Sequence, residues 1–74
     1  MREQLLRATL AHFESVAIRA RTNLEIYLNS AVAVPEHRDT VSEVVELTKE
    51  ITEADDNIRT VEGLLTAALL GEEQ

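Results

Sequence analysis

Cysteine is absent from this 74-residue chain, which excludes disulfides and any thiolate metal site. That absence fits a reducing compartment, and a cytoplasmic location is expected. Proline occurs once, at Pro35, and glycine twice, at Gly63 and Gly71. No strand-like alternation of apolar and polar residues appears in either half. No long apolar run occurs, so nothing is expected to span a bilayer. The opening MREQLLRATL carries Glu3 and Arg7 inside it and is not expected to act as a secretory signal. Basic residues are scarce: 7 Lys and Arg stand against 14 Asp and Glu, a formal charge of −7. Binding to a phosphate backbone needs clustered cations, so ordinary nucleic-acid binding is not expected.

The charge is unevenly spread. Residues 1–34 hold Arg2, Arg7, Arg19 and Arg21 against Glu3, Glu14 and Glu25, a net +1. Residues 35–74 hold Arg38, Lys49 and Arg59 against eleven acids, a net −8. The two halves should attract each other. The plainest role of the acids is to keep a small helical protein in solution.

Apolar residues recur in two matching series. The first runs Leu6, Leu10, Phe13, Ala17, Ala20, Leu24, Tyr27, Ala31, and the second Val44, Leu47, Ile51, Ala54, Ile58, Val61, Leu65, Ala68. Steps of three and four alternate through both, the a/d heptad pattern of helices that pack along a seam. The chain is therefore expected to be all-α, with helix 1 over about 3–31, a corner over 32–39 and helix 2 over about 40–70, forming one domain over 1–74. Thr40 with Glu43 makes a capping box, and Asp39 is an alternative cap. Gly71 reads as a helix stop. Gly63 weakens the helix unless it admits a neighbouring backbone. Val34 precedes Pro35 and is pushed toward an extended conformation, which ends helix 1.

A short connection folds the helices back antiparallel into a coiled-coil-like hairpin. In that register Leu24 lies near Leu47, Ala20 near Ile51, Ala17 near Ala54, Phe13 near Ile58 and Leu6 near Leu65. The small pair Ala17 and Ala54 allows a close approach at mid-length. Leu5, Val16, Ile18, Ile26 and Leu28, with Val45, Leu64, Leu69 and Leu70, fall off the seam. A lone hairpin would leave them in water, and so small a chain has a thin core. A homodimer forming a four-helix bundle is the expected remedy.

Residues that could carry chemistry are few. A di-metal bundle site would want Glu-x-x-His pairs, but Thr9 precedes His12 by three and Val34 precedes His37 by three. Glu43 with Glu46, and Glu53 with Asp56, are similar to the paired carboxylates of all-α nucleotide pyrophosphohydrolases. Both pairs lie on one continuous helix, whereas a metal cage draws ligands from several, so a solvated face is the better reading. No catalytic residue, metal site or cofactor is assigned. Arg19, Arg21 and Asn23 form a small basic patch. It serves either to pair with acids such as Glu50 and Glu53, or to bind an anion such as a nucleotide, with Tyr27 as a stacking platform. Tyr27 otherwise reads as a seam residue with its hydroxyl at the solvent edge.

Asn23 to Asn29, then Val32 to Asp39 with Glu36 and His37 inside, resembles a group of small uncharacterised tailed-phage proteins. They share a helix ending in an "NLE-x-hydrophobic-L" run, a tight corner with a Glu-His pair, and an acidic second helix. Their corner usually reads Asn-Pro-Val-Gly-x-Gly-Glu-His; here it is Ser30-Ala31-Val32-Ala33-Val34-Pro35-Glu36-His37. The resemblance implies a helical hairpin and a phage origin, hence a host-cytoplasmic setting, and no activity. Glu36, His37 and Arg38 either satisfy free backbone groups at the helix start or form a recognition tip. The expected function is that of a non-enzymatic acidic interaction protein that self-associates and binds or modulates a host protein. Its candidate contacts are Glu36, His37, Arg38, Arg19, Arg21 and Tyr27. A small-ligand binder is the alternative, and a Mg²⁺-dependent nucleotide hydrolase using Glu43, Glu46, Glu53 and Asp56 is a third.

Overall fold

Alanine, leucine, arginine and glutamate dominate the first half, and neither glycine nor proline interrupts it, so a long helix is the natural outcome. The computed structural model describes residues 1–31 and 40–72. Helix α1 spans Arg2–Ala31 and α2 spans Thr40–Glu72. No strand occurs among the described residues. The corner, with Pro35, Glu36, His37, Arg38 and the cap candidate Asp39, lies outside them. Helix α2 begins at Thr40, so the position before it, where a cap would sit, lies outside the described residues.

The two helices differ in how readily they form. Val41, Val44, Val45, Thr48, Ile51, Thr52, Ile58, Thr60, Val61 and Thr66 are all in α2. Branching at Cβ restricts χ1 against the preceding turn and lowers helix propensity. Packing must therefore supply what propensity does not. Threonine hydroxyls that could compete with the ladder instead bond within it: Thr48 donates to the Val44 carbonyl at 2.7 Å and Thr60 to the Asp56 carbonyl at 3.1 Å. Thr9 does the same in α1, donating to the Leu5 carbonyl at 2.8 Å.

The helices pack antiparallel along the heptad seam. Every described member of both a/d series is buried or half-buried. Among the described residues, the buried apolar set is Ala17, Ala20, Ala54, Val61, Leu65 and Ala68. Ala17, Ala20 and Ala54 keep only 2–3 % of their surface, so three methyl groups fill the seam at mid-length. Phe13, Leu24 and Tyr27, which are bulkier, stay half-buried. The particle is 61 Å long and 14 × 13 Å across. A two-helix layer has no interior, so its seam residues keep one flank in water.

Two glycine expectations are corrected. Gly63 is exposed, and a Cβ built there meets nothing within 4 Å, so no backbone approaches it. Gly71 lies inside α2 without a positive φ and does not stop the helix, which continues to Glu72.

Electrostatic pairing between the halves is also narrower than their charges suggested. One ion pair joins the helices among the described residues: an Arg21 terminal nitrogen lies 2.7 Å from Asp55 Oδ2. The others stay within a helix, from Arg7 to Glu3 at 2.7 Å, Lys49 to Glu46 at 3.5 Å, and Arg59 to Asp56. Arg21 does not meet Glu50 or Glu53 because it projects to the opposite edge of the seam. In heptad terms Arg21 and Asp55 are both e positions, which adjoin across an antiparallel pair, whereas Glu50 and Glu53 occupy g and c. Phe13, Val16, Glu50, Glu53 and Asn57 line a cavity of about 250 Å³ on that other edge.

Candidate functional site

An apolar concavity lies where α1 ends and α2 begins. Tyr27 and Val44 belong to the seam, and Leu28, Val41 and Thr48 flank it on the e side. With Thr40, Val45 and Lys49 they line an open groove of about 580 Å³. Each of these residues sits there for a local reason. Leu28 follows the seam residue Tyr27 by one position, which turns it 100° outward toward the Arg21–Asp55 edge. Val41 and Val45 are four apart on α2 and stack on one flank. The Thr48 hydroxyl is engaged by its own helix, so it brings no unpaired donor to the floor. Lys49 stands at the rim, held toward Glu46. Leu28, Val41 and Val45 keep 46, 68 and 43 % of their surface exposed. The groove is thus an exposed apolar surface.

A smaller apolar patch lies at the opposite end and on the opposite edge, where Arg2, Leu6, Leu64, Ala67 and Ala68 border a cavity of about 340 Å³. Ile18 and Ile26 are exposed on α1, on different edges. Apart from Leu70, which faces directly away from the seam, the off-seam residues expected to lie in water thus divide between two edges. Val16 and Leu69 are partly covered.

Of the six candidate contact residues, Glu36, His37 and Arg38 lie outside the described residues. The other three do not converge. Arg21 is engaged by Asp55, and Arg19 makes no ion pair with a described residue and points to the other edge. Residues two apart on a helix do not share a face, so Arg19, Arg21 and Asn23 fall at c, e and g and form no single basic patch. Tyr27 is a half-buried seam residue on the groove floor. Glu43, Glu46, Glu53 and Asp56 are all exposed on α2, with Glu46 and Asp56 held by Lys49 and Arg59. Among the described residues, no three His, Asp or Glu side chains come together as a cation site would require. His12 stacks edge-on against Phe13, with ring centres 5.1 Å apart, and is exposed. No described helix is long and apolar enough to cross a membrane.

Sequence reasoning passed over Val41. The signal was present: Val41 and Val45, four apart, lie one position beyond the d residue Thr40 and the a residue Val44. Comparison with known proteins gives no match, for no family model fits the chain and no curated protein or solved structure is detectably similar.

Proposed function

We propose that this chain is a non-enzymatic, acidic helical interaction protein that pairs with itself and presents its acid-rich second helix to a protein partner. The observation that carries the reading is the surface left in water. The chain exposes 5618 Å². A compact monomer of 8.3 kDa exposes about 4,600 Å², so the excess is about 1,000 Å². That is close to the roughly 800 Å² each partner loses in a standard protein–protein interface. Part of the excess is the apolar groove, which water solvates poorly. Two hairpins packed as a four-helix bundle would remove it.

The acidic side of the proposal rests on Glu43, Glu46, Glu50 and Glu53. They occupy successive turns of one edge of α2, and all are exposed. A partner with a basic surface would be steered to that edge and would bind less tightly at high salt. The resemblance to small tailed-phage proteins argues for a host protein as that partner. Sedimentation at low micromolar concentration tests the first half: a fully helical monomer of 8.3 kDa refutes self-association. Capture from host lysate tests the second half. A stoichiometric protein lost when the four glutamates become glutamine supports it, and capture indifferent to that change refutes it.

A further inference from the structure

The two edges of the hairpin are not equivalent as places for a second copy. The edge marked by the Arg21–Asp55 pair carries both signs along its length, with Arg7, Glu14 and Arg21 on α1 and Asp55, Arg59 and Glu62 on α2. The larger groove opens on this edge. The other edge carries Glu43, Glu46, Glu50 and Glu53 on α2, with Lys49 beside Glu46, and Arg2 and Arg19 on α1. Both edges are therefore mixed in sign, and what separates them is the apolar groove of Leu28, Val41 and Val45, whose burial a second copy would gain only on the Arg21–Asp55 edge. A mixed-sign edge can satisfy itself across a two-fold axis, where the same patch meets its own copy.

Two such arrangements exist, and the positions of the charges decide between them. Turned end for end about the level of Ile18, the copies would set Leu28 against Arg7, since Leu28 lies about 15 Å to one side of Ile18 and Arg7 about 16 Å to the other at 1.5 Å per residue. That arrangement also brings Asp55 level with Asp55 of the second copy. With both corners at the same end, α1 of each chain lies along α2 of the other. Leu28 and Val45 border the same groove, and Glu14 and Arg21 border one cavity with Ile58, the residue before Arg59. Leu28 then meets Val45, Glu14 meets Arg59, and Arg21 stays near an Asp55. Apolar groups face apolar groups and opposite charges face each other.

We infer that a second copy covers the Arg21–Asp55 edge with its corner at the same end, so that Leu28, Val41 and Val45 of both chains close the two grooves into one apolar layer. The inference rests on the self-association reading and adds the edge and the orientation to it. Every helix in the resulting bundle is antiparallel to both of its neighbours.

The chain has no native cysteine, so single thiols report contacts cleanly. Full-length Leu28→Cys and Val45→Cys chains are mixed at micromolar concentration and oxidised. The expected main product is the mixed disulfide, because Cβ atoms on adjoining helices come within bridging distance. Ile18→Cys alone is expected to stay largely unlinked; a high yield of its homodimer would establish the end-for-end arrangement and overturn the orientation. In sedimentation, Val45→Glu should raise the dimer dissociation constant at least tenfold, whereas Ile26→Glu, on the other edge, should change it less than twofold. The reverse ranking overturns the choice of edge. Helicity measured alongside separates lost pairing from lost folding, and the cross-link needs no charge inserted. A wild-type chain that remains monomeric refutes the self-association reading itself, whereas a dimer lacking the mixed disulfide refutes only the geometry.

Discussion

Replacing Gly63 with alanine should stabilise the hairpin. Gly63 lies in the interior of α2, eight residues or more from either end, at the f position that points directly away from the seam. Its φ is not positive, and a Cβ built on it meets nothing within 4 Å. Alanine can therefore adopt the native backbone without strain and without a clash. What remains is the difference in helix propensity, about 1 kcal/mol, much of it from the unfolded chain, where glycine has more freedom to lose. Unfolding entropy near 60 °C is roughly 2.1 cal/mol/K per residue, so about 155 cal/mol/K for a chain of this length. Dividing one by the other gives a rise in Tm of about 6 °C. Circular dichroism at 222 nm, read against temperature and against urea at fixed protein concentration, measures it. The urea midpoint should rise with the slope unchanged, since the surface exposed on unfolding is the same. A variant less stable than the parent would refute the reasoning. Some backbone would then have to pass over Gly63, and the outer face of α2 would not be open space.

Two further substitutions probe the seam and its one cross-helix pair. Ala54→Leu forces a large side chain between backbones held apart only by methyl groups and should cost about 1–3 kcal/mol, seen as a lower urea midpoint; an unchanged midpoint would mean the helices are not closely apposed there. Removing Arg21 and Asp55 singly and together should give a coupling energy below about 1 kcal/mol, because both side chains are substantially exposed. Raising the salt to 0.5 M should erase most of that coupling, and a larger, salt-resistant value would show that the pair is shielded from water.

The seam was legible because a heptad pattern is a one-dimensional statement. Leu6 to Tyr27 and Val44 to Ala68 needed only their spacing to predict which faces meet, and Ala17 and Ala54 are buried on the seam where that spacing put them. The glycines were less legible. Whether Gly63 admits a neighbouring backbone depends on what lies opposite, and spacing along one helix does not carry that. Arg19 and Arg21 looked like one patch because they are close in sequence, yet two residues of helix separate their directions by about 200°. The groove was missed for a related reason. Its walls come from Leu28 and Val41, thirteen positions apart, and they are brought together only by the antiparallel register. The heptad position of Val41 was readable, one past the d residue Thr40, but not that Leu28 stands beside it.

The abundance of Cβ-branched residues in α2 makes the two arms unequal in isolation. A peptide covering Arg2–Ala31 has few such residues and no helix breaker, whereas one covering Thr40–Glu72 relies on docking to hold its coil wound. The first arm acts as a mandrel and the second as the thread drawn onto it. Whatever pries the arms apart, whether a competing helix or a protease seeking slack backbone, would find the second arm loosening first.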